Sequence, residues 1–232
     1  MKLTSHKFLG GVLLCLCSLL PGIASAGGII LAGTRVVYPM EKTQKSISIR
    51  NSDKTRSFLV QSWVEDAEGK RTKDFIVTPP LYVGKPGREN TLRLVAVGGT
   101  QIKNKETLYY FNVKAIPSLS KKVMEENSGN LMITTTTRVK MFARPAGLRI
   151  AREKAPDELQ FIRKGKKLEV RNPTPYYLTL VSIKYAGKTL GDIMVAPESS
   201  QFLALPANND RNITWNSIDD FGAEVPGQAN IQ

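Results

Sequence analysis

With 232 residues and a formal charge of +13, the chain has room for one large domain or two of about 100 residues. Both cysteines, Cys15 and Cys17, and the only histidine, His6, fall within residues 1–26. That segment reads as a secretory signal peptide, so the exported chain has no disulfide, no Cys/His zinc site, no thiol nucleophile and no histidine base.

The leader opens with Lys2, His6 and Lys7, runs through an apolar core at residues 8–20, breaks at Pro21-Gly22 and ends at the small-residue site Ala24-Ser25-Ala26. Its apolar run is too short to span a bilayer, and no later stretch approaches the roughly 18–20 apolar residues a spanning helix needs. Cleavage predicts a soluble exported protein that starts at Gly27 with 31 basic and 20 acidic residues. Without disulfides it must be held by its core. A basic surface suits nucleic acid, an anionic membrane or an acidic protein, but here the charges are spread along the chain like ordinary solvated residues.

From Gly28 onward short apolar runs alternate with turns. Residues 29–38 are apolar and end at Pro39. Ile47 and Ile49 share one face of residues 46–50, residues 58–65 (FLVQSWVE) form a strand, and residues 66–69 turn. Residues 75–77 run into Thr78-Pro79-Pro80, where paired prolines exclude a central ladder position. Strands at residues 91–97 and 108–116 close at Gly98-Gly99 and Pro117. A polar connection over residues 118–130 then leads to residues 131–145 (LMITTTTRVKMFARP). About seven strands in roughly 115 residues is the signature of a sandwich. A boundary follows Arg144-Pro145, where Ala146-Gly147 is permissive and residues 149–157 are charged without pattern. Further strands are predicted at residues 158–162, 167–171, 177–184, 193–195, 201–205 and 213–218, with turns at 172–175 and 186–188. The predicted division is a leader at 1–26, a first β domain at 27–145 and a second at 146–232. No long helical period and no repeat between the halves is visible.

Few motifs carry chemistry. Ser118-Leu119-Ser120-Lys121 fits the S-x-x-K pattern of acyl-serine enzymes, but it follows Pro117 in a loop and lacks the partner motifs S-D-N and K-T-G. Gly187-Lys188-Thr189 resembles the end of a phosphate loop, yet Ser182 stands where a glycine is required, and a hairpin turn is the simpler reading. Asp219 and Asp220 point apart in an extended segment, which argues against joint acid–base work. Asn212-Ile213-Thr214 fits a glycosylation sequon, a pattern short enough to arise by chance. Tyr109, Tyr110 and Phe111 beside Lys114 suggest a base-stacking platform, but consecutive aromatics alternate faces, and secretion argues against nucleic acid.

The most informative stretch is residues 131–142. Leu131, Ile133 and Thr135 project to one side of a strand, and Met132, Thr134 and Thr136 to the other. Four consecutive threonines favour extended chain. At roughly 3.3 Å per residue the strand would run about 36–40 Å, long for a globular protein. An ordinary sandwich strand with one buried face fits the pattern. So does an edge strand that lends its face and backbone to another protein, although long apolar edges are normally avoided. Arg138 and Lys140 on this strand, with Arg35 on the first, suit capture of a carboxylate. Strict alternation puts Lys140 opposite Leu131 and Ile133, so a bulge or strong twist is expected if they serve one partner.

Several longer motifs occur in order between Gly28 and Gly222: GTRVVYP at 33–39, QSWVE at 61–65, FIVTPPL at 75–81, ETLYYFNVKAIP at 106–117, RVKMFARP at 138–145, NPTPYYLT at 172–179 and IDDFG at 218–222. Together they resemble the PapD-like periplasmic chaperones of pilus assembly, especially the short-loop branch that serves type 1-like fimbriae. The resemblance implies an all-β fold of two immunoglobulin-like β-sandwich domains set at an angle with a cleft between them. It implies that Arg35 and Lys140 anchor the C-terminal carboxylate of a pilus subunit. It implies that Leu131, Ile133 and Thr135 insert into that subunit's open groove, and that Glu106, Arg144 and Asp220 form a charge network fixing the domain angle. The implied function is non-enzymatic: a periplasmic chaperone that binds incomplete pilus (fimbrial) subunits by donor-strand complementation and delivers them to an outer-membrane usher. No metal, cofactor, nucleic acid or membrane insertion is implied; self-association through the edge strand is open to the free protein. Two features depart from the family pattern. Thr135 stands where relatives usually carry a larger apolar residue, and the connection at 118–130 is slightly longer. An exported sandwich that binds carbohydrate or cell-surface ligands is the competing reading.

Overall fold

The computed structural model describes residues 27–98, 104–118 and 132–232. The leader and Leu131 therefore lie outside the described residues. The first half contains β1 (Ile29–Leu31), β2 (Arg35–Pro39), β3 (Lys45–Asn51), β4 (Phe58–Glu65), β5 (Phe75–Thr78), β6 (Leu81–Gly84), β7 (Glu89–Ala96), β8 (Thr107–Pro117) and β9 (Thr135–Arg144). Two sheets, ordered β1-β3-β7-β5 and β2-β9-β8-β4-β6, pack face to face. Alternation decides what each strand buries: Val60 and Val64 from β4, Leu92 and Leu94 from β7, and Phe111 and Val113 from β8 all point inward. Tyr38, Phe75 and Tyr109 meet edge to face at 5.2 and 5.0 Å.

The second half begins with a 3-10 helix (Arg152–Glu158). It continues through β10 (Gln160–Lys164), β11 (Lys167–Asn172), β12 (Leu178–Tyr185), β13 (Lys188–Thr189), β14 (Ile193–Val195), β15 (Ser199–Ala204), β16 (Asn212–Ile218) and β17 (Glu224–Asn230). Its sheets run β10-β11-β15 and β13-β12-β16-β17, with β14 also paired to β12. A separate core forms around Phe161, Leu168, Leu178, Leu180, Ile183 and Ile213. The fold is thus two immunoglobulin-like sandwiches, each with its own core.

Several elements differ from the sequence reading. The apolar run at 29–38 is two strands in different sheets, because the chain turns at Gly33, whose φ of +95° suits glycine. β6 and β17 were not anticipated. β6 follows the paired prolines directly, and β17 carries Pro226 and Gly227 with no apolar alternation. Both are outermost in their sheets, where a proline costs no ladder bond. Gly227 is covered by Trp215; a Cβ there would come within 2.6 Å of the indole. Residues 186–187 form the expected hairpin turn, with φ of +49° and +75°. β9 opens four residues later than predicted and ends two later. Among the described residues, Met132, Ile133 and Thr134 make no ladder contact, and β8 beyond Ala115 pairs only with β4.

Candidate functional site

The two sandwiches meet through charged side chains drawn from both. Arg144, at the end of β9, donates Nε to Glu106 at 2.7 Å and both terminal nitrogens to Asp220 at 2.6 and 2.7 Å. Glu106, just before β8, is 3 % exposed. Its other carboxylate oxygen accepts the Tyr177 N–H at 2.8 Å, and its own N–H donates to the Pro175 carbonyl at 2.9 Å. Phe142 stacks on Tyr177 at 5.7 Å, and Lys105 pairs with Glu198 at 2.9 Å. Burial pushes the Glu106 carboxyl above its ordinary range against the pull of Arg144. Asp220 also loses water, but hydrogen bonds and charge from Arg144, then the charges of Arg152 and Arg35, hold it below its ordinary value. All three predicted network residues therefore come together across the seam.

Beside this satisfied network stand two cations with no carboxylate of their own. Arg35 opens β2, and Lys140 lies directly across from it on β9. Arg35 Nη1 donates to the Ile218 carbonyl at 3.2 Å, while its Nε is buried without an acceptor. Lys140 Nζ reaches the Thr179 hydroxyl at 3.4 Å. Neither makes an ion pair among the described residues. Burial lowers the pKa of Lys140, and the charge of Arg35 lowers it further. Burial and then Arg152 lower the pKa of Arg35, partly offset by Asp220 and Asp219. An anion placed beside them would relieve the charge of both cations.

The third feature is the edge of β9. On one side it pairs with β8 from Thr135 to Ala143; on the other, parallel β2 covers only Lys140 through Arg144 among the described residues. Residues 135–139 thus have a vacant edge among the described residues. Of the bulge or strong twist expected if Lys140 and Ile133 serve one partner, no bulge occurs: the β8 register is unbroken from Ala143 to Thr135. Val139, Met141 and Ala143 face the first core, so Thr135 and Thr137 continue that side. Lys140, Phe142 and Arg144 face the second sandwich. Lys140 and Thr135 consequently lie on opposite faces of β9, and a partner seated along its edge can meet both. Ile133, two residues before β9 opens, is 65 % exposed.

Elsewhere, Ser118 donates its N–H to the Ser57 carbonyl at 3.0 Å as a continuation of the sheet, and Lys121 lies outside the described residues. Sequence reasoning missed Arg152, Tyr177, Thr179 and the Ile218 carbonyl. The stretch containing Arg152 had shown only scattered charge, and a carbonyl leaves no sequence signal.

Residues 28–149 match the family model described as pili and flagellar-assembly chaperone, PapD N-terminal domain, and residues 154–229 match the pili assembly chaperone PapD C-terminal domain. The chain belongs to the PapD family of pilus-assembly chaperones. The chaperone protein FimC of Escherichia coli K12 is 37 % identical over 224 residues, covering 96 % of this chain and 92 % of FimC. The probable fimbrial chaperone SfmC of the same strain is 39 % identical over 203 residues, 87 % of each chain. Among solved structures, the periplasmic chaperone SfaE has 37 % identity and a TM-score of 0.75 over 88 % of this chain and 98 % of its own. A chain of the Salmonella enterica SafA pilin–SafB chaperone complex has 30 % identity and a TM-score of 0.78 over 89 % and 98 %. Among the described residues of this PapD-family chain, no helix is long and apolar enough to cross a membrane.

Arg144→Met would strand the buried Glu106 carboxylate. The expected loss is about 3–5 kcal/mol in urea unfolding. Adding Glu106→Gln, which keeps an acceptor for Tyr177 N–H, should recover more than half of it. No recovery in the double variant would show that Arg144 acts by packing rather than by charge.

Proposed function

We propose that the protein is a periplasmic chaperone that captures incomplete fimbrial subunits by lending them a strand. In this reading Arg35 and Lys140 hold the subunit's C-terminal carboxylate, and the first sandwich presents the complex to an outer-membrane usher. The observation that carries the reading is the edge of β9, half vacant among the described residues, which ends at two cations that form no ion pair there. The vacant lane beside residues 135–139 is collinear with β2, whose first residue is Arg35. A subunit strand that fills the lane and ends at Arg35 must run parallel to β9.

The energetics divide into three parts. Backbone pairing along the edge supplies affinity with little sequence preference. Each charge-assisted bond to the carboxylate contributes roughly 1.5–3 kcal/mol. Each large apolar side chain seated in the subunit's open core, Leu131 and Ile133 first, contributes roughly 1.5–3 kcal/mol. Thr135 contributes less, which favours subunits with a small pocket at that place. The chaperone acts by binding alone and needs no cofactor. The SafA pilin–SafB chaperone complex supports a fimbrial subunit as the partner. For the usher, support comes from the far edge of the same sheet, where Leu81 and Val83 of β6 are 50 % and 54 % exposed.

Lys140→Met removes a cation that burial already disfavours. The free protein is therefore expected to unfold at the same urea concentration as wild type or a higher one. Subunit recovered with it from the periplasm should fall at least about tenfold, the loss of one charge-assisted bond. Ile133→Asp, which would carry an unpaired charge into the subunit core, should reduce recovery similarly. Wild-type subunit recovery with either variant would remove that residue from the binding site.

A further inference from the structure

Arg152 opens the 3-10 helix that joins the two sandwiches, and it is 9 % exposed. Its Nη2 donates to the Ile218 carbonyl at 3.0 Å, the same oxygen that accepts Arg35 Nη1 at 3.2 Å. Its Nε lies 3.7 Å from Asp220 Oδ1, a carboxylate already gripped by both terminal nitrogens of Arg144. Arg144 and Arg152 therefore engage two carboxylates, Glu106 and Asp220, with the charge of Arg35 close by. The neighbouring Asp219 carboxylate is turned to the N–H groups of Phe221 and Ala223.

We propose that Arg152 is a positioning residue of the carboxylate anchor: with Arg144 it occupies Asp220, so that Arg35 stays uncompensated for an incoming C-terminal carboxylate. The proposal rests on the subunit-capture reading above. Asp220 is the acid that acts most strongly on Arg35, and Arg152 opposes it. Without Arg152, Asp220 has one guanidinium partner fewer, and its charge falls on Arg35. The anchor is then neutralised from inside the protein before any subunit arrives. A purely structural Arg152 would instead tie the linker helix to the end of β16. Its loss would lower stability and leave the preference for a carboxylate untouched.

The test uses the full exported chain and a peptide of about fifteen residues from the C-terminus of a fimbrial subunit recovered with it, made with a free carboxylate and as the amide. Wild type is expected to bind the free acid at least about tenfold more tightly than the amide. Arg152→Gln keeps a donor for the Ile218 carbonyl but loses the charge, and Arg152→Leu loses both. In each the preference should shrink to within about twofold, whereas Arg152→Lys should keep most of it. An undiminished preference in Arg152→Gln, folded by circular dichroism, overturns the proposal and leaves the anchor standing. A wild-type protein that binds acid and amide equally overturns the anchor itself, and the role of Arg152 with it.

Discussion

The parallel pairing of β2 with β9 stops at Arg35 and Lys140, leaving the first five residues of β9 paired on one side only among the described residues. A vacant strand edge is a row of unpaired N–H and C=O groups, and proteins usually blunt or cover it. Among the described residues the edge is kept, and the cations beside it form no ion pair. Two exposed needs of different chemistry, one for backbone hydrogen bonds and one for negative charge, are thus aligned along a single lane. A strand that ends in a carboxylate answers both together, which a loop or a helix would not.

The seam between the sandwiches makes this arrangement durable. Asp220 and Glu106 are engaged by Arg144, Arg152 and the Tyr177 backbone, so among the described residues these acids act on Arg35 by charge alone and form no ion pair with it. A buried network of this kind adds little stability over a well-packed apolar seam, but it is costly to break at any single member. Its use here is geometric: Arg144 sits four residues beyond Lys140 on the same face of β9, so fixing one places the other. The satisfied Arg144 and the unpaired Lys140 lie four residues apart on the same strand.

Much of this was legible in the chain. Alternation of apolar residues located most strands, and the long motifs grouped Arg35 with Lys140 and Glu106 with Arg144 and Asp220. Parity alone put Lys140 opposite Ile133. What parity could not supply was the way out: no bulge is needed, because an edge belongs to both faces. The break between β1 and β2 falls at Gly33-Thr34, a short polar signal between two apolar runs that either sheet would bury alike. β17 was hidden because an edge strand with Pro226 and Gly227 has neither pattern nor propensity. Arg152 was beyond reach because its partners lie some 66 residues away in the chain.

The most direct test of strand lending is amide hydrogen exchange along β9, measured for the free protein and for its complex with a fimbrial subunit. In a strand paired on one side, alternate N–H groups point to the vacant side. The account predicts that these alternate amides within residues 135–139 exchange much more slowly in the complex, while amides in residues 140–144, already paired with β2, stay as they were. A complex that forms while exchange in residues 135–139 is unchanged would contradict it.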